Sequence, residues 1–171
     1  MQYISTAAYV GNVSKPVLIQ PRDGYDYASI VGVLVAPTSR GNVTIRSADT
    51  ADLPTINPNW LSTETDQEVA IATFKRTRQA FESGAMAPIL IGDEYYPGNR
   101  TRSNEEILEF VKDNMMTIWH AACTCKMGTA KDAMAVVDSQ GRVFGVDGLR
   151  VVDASAFPLL PPGHPQSVVC K

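Results

Sequence analysis

Apolar and polar positions recur along the chain with two periods, and each period marks a different kind of element. Between residues 65 and 83 the spacing is helical. Ala70, Phe74, Thr77 and Phe81 fall on one face, while Glu68, Lys75, Arg76 and Gln79 lie mostly elsewhere. This predicts a helix from about Thr65 to Ser83, with Gly84 at a stop position. A second helix is predicted after Ser103. Ser103 and Glu106 have the spacing at which each side chain satisfies the other residue's backbone N–H, and Ile107, Leu108, Phe110 and Val111 form an apolar side that ends near Asn114. Elsewhere the period is two. Tyr27 to Val35 is rich in β-branched and aromatic residues, Pro37-Thr38-Ser39-Arg40-Gly41 interrupts it, and Asn42 to Arg46 alternates again. That pattern predicts a hairpin, with Val43 and Ile45 on one face and Thr44 and Arg46 on the other.

Residues 1–25, with Pro16 and Pro21, read as irregular. Asp52 to Pro58 reads as a loop because Pro54 and Pro58 exclude a helix, and Ile89 to Pro97 as loop or short extended chain. The pattern changes near Met115. A stretch of small residues follows, then two short β-rich runs, Ala135 to Asp138 and Leu149 to Val152. Gly148 to Asp153 reads as a short buried strand ending in an acid. Pro158, Pro161, Pro162, Gly163 and Pro165 make a rigid loop, and Ser167 to Lys171 has length for one helical turn.

Composition narrows the class. With 44% hydrophobic and 19% charged residues, the 171-residue chain is globular rather than disordered. A net charge of −3 gives no electrostatic basis for binding nucleic acid. No apolar run is long enough to span a bilayer, and Met1 to Ser5 has neither a basic start nor a long apolar core of a signal peptide. Asn12-Val13-Ser14, Asn42-Val43-Thr44 and Asn99-Arg100-Thr101 fit the glycosylation pattern and lean toward a secreted rather than a cytoplasmic location. Three cysteines, Cys123, Cys125 and Cys170, are an odd number and lack the spacing of a zinc site, so they read as small buried apolar residues and no metal is expected.

The candidate chemistry rests on the two histidines. His120 has Ala121 and Ala122 beside it, which leaves one side open. His164 is pinned between Pro162-Gly163 and Pro165, which restricts its backbone. Imidazole is the commonest general base near neutral pH. Taken alone, the residues leave open both a catalytic pair and two ordinary structural histidines.

The surrounding motifs add a resemblance. Trp119-His120-Ala121-Ala122-Cys123-Thr124-Cys125-Lys126-Met127-Gly128 is followed by Val136-Val137-Asp138, Gly141-Arg142-Val143 and Gly145-Val146. Then come Gly148-Leu149-Arg150-Val151-Val152-Asp153-Ala154-Ser155, Pro158 and Gly163-His164-Pro165-Gln166. In order and spacing, including the 44 positions from His120 to His164, this series resembles the C-terminal signature of glucose–methanol–choline (GMC) oxidoreductases. Pro37 to Val43 resembles the substrate-domain hairpin of that family, and Pro54 to Leu61 with Asp66 resembles the following loop and helix start.

The resemblance implies an α+β chain. Residues 1–115 would form a GMC substrate-binding domain, an antiparallel sheet with flanking helices, and residues 116–171 the C-terminal piece of an α/β FAD-binding domain. It implies FAD as cofactor, a small-molecule alcohol as substrate and O2 or another electron acceptor, with hydride passing from the alcohol carbon to flavin N5. By position, His120 would be the principal base and His164 its partner on the substrate oxygen. Asp153 and Ala154 would lie by the flavin, backbone groups of Pro165 and Gln166 would meet the isoalloxazine edge, and Trp119 would wall the site. The residues themselves leave Asp153 equally open as a helix-cap or turn acid and Trp119 as a core side chain.

The chain departs from the family in two places. No G-x-G occurs anywhere, so the glycine-rich turn that admits a dinucleotide pyrophosphate is missing, and Gly145-Val146-Asp147-Gly148 is the nearest cluster. Cys170 stands where the family continues with an aromatic residue. The main dinucleotide-binding part is therefore expected to be absent and the chain a fragment, inactive by itself. Two further readings stay open: a flavin-bound cyclase on the same scaffold that uses the histidines without a redox step, and a non-catalytic remnant or binding module.

Overall fold

The computed structural model describes residues 1–11 and 20–170; Asn12, Pro16 and Lys171 lie outside them. The chain is α+β. Its elements are β1 (Gln2–Thr6), β2 (Ser29–Val33), β3 (Asn42–Thr44), β4 (Thr55–Asn57), α1 (Glu64–Phe81), α2 (Asn104–Asn114), a 3₁₀ turn (Ala154–Ala156) and α3 (Gln166–Val169). They gather into two compact units. One comprises Met1–Arg40 and Trp60–Met116; the other comprises Gly41–Asn59 and the described residues from Thr117 on.

In the first unit β1 and β2 pair antiparallel, with Gln2 opposite Val33 and Thr6 opposite Ser29. A Cβ on Gly32 would come within 2.3 Å of Thr73 Cγ2, so only glycine lets β2 lie this close to α1. The two helices meet through Phe74 and Phe110, whose rings stand edge to face at 5.6 Å, and Tyr96 continues the stack onto Phe110 at 5.4 Å. Ile107 is the buried anchor of α2. Both hydrogen bonds of the Ser103–Glu106 capping box form, and α2 occupies the predicted span. The predicted α1 agrees at its start and runs two residues long at its end.

A buried carboxylate organises the start of α1. Thr63 caps the helix by accepting the Asp66 N–H, and Asp66, only 2% exposed, reaches out of the helix. Its Oδ1 accepts the Thr38 N–H and hydroxyl, each at 2.8 Å, and its Oδ2 accepts the Ser39 N–H at 2.8 Å. Burial works against the charged form. The bonds from Ser39 and Thr38 outweigh it and hold the carboxyl well below its ordinary range.

This clamp explains the main correction to the predicted hairpin. The strands at 29–33 and 42–44 exist, but they do not pair with each other. Thr38 and Ser39 spend their N–H groups on Asp66, so residues 37–41 do not form a hairpin turn. The partner of β2 comes instead from residues 1–25, read above as irregular, and Gln2–Thr6 carries the alternating burial of a half-covered strand. The partner of β3 is β4, inside the stretch read as loop. Pro54 and Pro58 bound it without interrupting it, as proline does at a short edge strand. Val43 and Ile45 are exposed, so that face packs on no core.

The second unit is built from short backbone pairings rather than long strands. Gly128 donates to the Val137 carbonyl at 2.9 Å, Phe144 to Val136 at 3.0 Å, Val143 to Leu149 at 3.1 Å and Val151 to Gly141 at 2.9 Å. Val137 is the fully buried centre, bridged to Met127 on one side and Val143 on the other. The β-rich runs therefore appear as isolated bridges. The run from Gly148 to Asp153 is not buried: Leu149 and Arg150 are exposed, and Val152 is 86% exposed, because the run pairs only through its backbone at Leu149, Arg150 and Val151 and no second layer covers it among the described residues.

Asp66→Ala leaves the N–H groups of Thr38 and Ser39 without their acceptor and is expected to cost about 2–4 kcal/mol at pH 7, measured by denaturant unfolding. Asp66→Asn places an amide N–H2 against one of these donors and is also destabilising. Because the folded carboxyl is held below its ordinary value, the contribution is complete above about pH 4, the unfolded value, and is lost as pH falls through the folded value. The gap between wild type and Asp66→Ala therefore closes in acid, and a gap independent of pH would contradict the charged clamp.

Candidate active site

The run from Thr117 to Gly128 supplies His120. It turns through left-handed backbone at Trp119 (φ 60°) and Cys123 (φ 69°), conformations that non-glycine residues adopt only when held. Downstream of the histidine the run is stitched to the 3₁₀ turn. Cys123 donates its N–H to the Ala154 carbonyl at 3.1 Å, Cys125 to Ser155 at 2.9 Å and Met127 to Ala156 at 3.0 Å. Every second residue of the run thus bonds one of three consecutive carbonyls of the turn. Lys126 pairs with Asp132 at 2.6 Å, and Gly128 sits where an added Cβ would be 2.8 Å from Ala135 Cβ.

His164 comes from the proline loop. Gly163 precedes it with φ 84°, a conformation that favours glycine, and buried Pro165 follows it at the start of α3. The structure brings the two imidazoles into contact. His120 Nε2 lies 2.9 Å from His164 Nδ1, with ring centroids 4.7 Å apart and planes at 76°. His120 is half-buried and His164 exposed. Neither ring has another hydrogen bond among the described residues. A contact of this length requires a donor nitrogen facing an acceptor nitrogen. The pair therefore presents one N–H and one lone pair to the same point.

The other expected site residues divide. Ala154 is tied to the histidine run through its carbonyl. Asp153 is a cap: its Oδ1 accepts the Ser155 N–H at 2.7 Å at the start of the 3₁₀ turn, and bonds from Ser155 lower its carboxyl below the ordinary range. Trp119 is 75% exposed and so is not a core side chain here. Gln166 is exposed at the first position of α3 and makes no side-chain hydrogen bond to the pair among the described residues. Cys123 and Cys125 are half-buried and Cys170 is exposed, which corrects the expectation of three buried thiols. Among the described residues no group of three or more His, Cys, Asp or Glu is placed to hold a metal ion, and no helix is long and apolar enough to cross a membrane. A cavity of about 470 Å³ lined by Asp138, Arg142, Phe144 and Arg150 contains neither histidine.

The sequence reading passed over Thr117. Its Oγ1 accepts the Trp119 N–H at 2.9 Å, immediately before His120. The signal was present as a hydroxyl residue two positions ahead of the turn, the spacing of a side-chain-capped turn.

Residues 37–170 match the family model for GMC oxidoreductases. Patulin synthase of Aspergillus clavatus is 53% identical over 169 residues, 99% of this chain and 27% of that protein. Versicolorin B synthase of Aspergillus parasiticus is 44% identical over 147 residues, 86% of this chain and 23% of that protein. A solved FAD-dependent oxidoreductase from Chaetomium thermophilum superposes with a TM-score of 0.71 at 31% identity, over 85% of this chain and 24% of that one. The chain thus spans about a quarter of the length of the curated relatives it matches.

Gly128→Ala is expected to push the 128–135 loop apart and to cost about 1–3 kcal/mol, read as a lower melting temperature. An unchanged melting temperature would show that this loop does not press on the histidine run as described.

Proposed function

The chain belongs to the GMC oxidoreductase family, and we propose that it carries the proton-transfer residues of an FAD-dependent enzyme that oxidises a small-molecule alcohol to a carbonyl. The observation that supports this reading is the 2.9 Å contact between His120 Nε2 and His164 Nδ1. An alcohol hydroxyl inserted between two such nitrogens satisfies both: its O–H donates to the lone pair, and its oxygen accepts the N–H. His120 accepts the hydroxyl proton as general base. His164 holds the oxygen and stabilises the alkoxide charge as it develops.

The residues present fit one end of FAD. Three large apolar side chains flanking the site in sequence, Trp119, Val152 and Leu159, are exposed and available to a flat ring. Asp153, Ala154, Pro165 and Gln166 would hold that ring near the histidines, while no glycine-rich turn for the pyrophosphate occurs in this chain. Bound FAD would supply the two-electron acceptor for the hydride of the alcohol carbon, with flavin N5 as the accepting atom and O2 or another acceptor as the eventual oxidant. The likeness to versicolorin B synthase supports a second reading, in which the same pair acts as acid and base in a cyclisation with no net redox change.

In the complete FAD-bound protein, His120→Ala is expected to lower the rate of alcohol oxidation by ~10²–10⁴-fold with flavin content unchanged. His164→Ala is expected to lower it as well. Dye reduction or peroxide formation reports the oxidation. Near-wild-type turnover by His120→Ala would remove it as the base, and product formation without dye reduction or peroxide would favour the cyclase.

A further inference from the structure

We propose that Thr117 is a positioning residue for His120, acting through the backbone of Trp119; the proposal rests on the proton-transfer reading above. Trp119 has φ 60°, where the Cβ of a bulky residue crowds the following carbonyl. Such a conformation persists only when something holds it. Within this chain the indole packs too little to do so: it is 75% exposed. The bond that holds the turn is the one from the Trp119 N–H to Thr117 Oγ1 at 2.9 Å, which closes a side-chain-capped turn over residues 117–119.

The next residue is His120. Its downstream side is fixed, because Cys123 and Cys125 donate to the carbonyls of Ala154 and Ser155. Its upstream direction is set by the left-handed φ of Trp119. If Trp119 relaxes to ordinary backbone, the chain enters His120 along a different line and the 2.9 Å contact with His164 opens. Among the described residues Thr117 makes no hydrogen bond to either imidazole, so its action is on geometry alone.

The test is Thr117→Val in the complete FAD-bound protein. Valine keeps the shape and removes the acceptor, whereas Thr117→Ser and Thr117→Asn keep an acceptor oxygen. Thr117→Val is expected to slow flavin reduction at saturating alcohol by about tenfold, with KM, flavin content and melting temperature near wild type. Thr117→Ser and Thr117→Asn are expected to restore the rate to within about twofold. In a crystal structure of Thr117→Val, Trp119 is expected to leave the left-handed region and the His120–His164 separation to lengthen beyond 2.9 Å. The proposal is overturned by a wild-type rate with Trp119 still left-handed, by a serine variant as slow as the valine one, or by a rate loss explained by lost flavin or lowered melting temperature. His120→Ala run in parallel separates the two claims. If it reduces flavin normally, the proton-transfer reading fails, and the crystallographic arm alone decides whether Thr117 sets the His120 position.

Discussion

Two imidazole nitrogens facing each other at 2.9 Å must be a donor and an acceptor, and this requirement gives the second unit its chemical character. Each ring arrives from a different part of the chain. His120 lies in a run that turns at Trp119 and Cys123 and is bonded to the 3₁₀ turn, and His164 lies between a left-handed glycine and a buried proline. Among the described residues neither ring is held by a carboxylate, so their relative position depends on backbone: the Thr117–Trp119 turn, the alternating bonds from Cys123 to Met127, and the Gly163–Pro165 corner. The packing around buried Val137 and the tight approach at Gly128 support that backbone from behind.

The first unit is organised by a different device. Asp66 joins the start of α1 to the loop after β2, satisfying the N–H groups of Thr38 and of buried Ser39 with one charge. Gly32 lets β2 approach α1, and the Phe74–Phe110–Tyr96 stack holds the helices. The unit is ordered by polar clamps and aromatic edges as much as by a deep apolar core, consistent with Ile107 and the charged Asp66 being its largest fully buried side chains among the described residues.

Legibility followed the range of the interactions. Both helices were readable because their signals are local, apolar spacing and a capping box at Ser103 and Glu106, although α1 stops at Phe81, ahead of Gly84. Strand pairing was not, because it is decided across distance. The Pro37–Gly41 segment has the composition of a turn, yet Asp66, 27 residues after Ser39, captures it and sends β2 to a partner at the N-terminus. A strand between two prolines read as loop, and the run at 148–153 read as buried although nothing among the described residues covers it. In the site, motif order singled out the histidines, and their contact across 44 positions is a fact only the fold supplies. Asp153 emerged in its capping role, one of the two that its position allowed. Thr117 escaped notice because a threonine near an aromatic residue is common, and only the left-handed φ of Trp119 gives it meaning.

The central claim is that one substrate oxygen replaces the direct bond between the two rings. A crystal structure of the complete FAD-bound protein with an unreactive alcohol analogue tests it most directly. The account predicts the analogue oxygen within about 2.6–3.2 Å of both His120 Nε2 and His164 Nδ1, with the rings no longer bonded to each other. An analogue bound elsewhere while the 2.9 Å contact persists would contradict it.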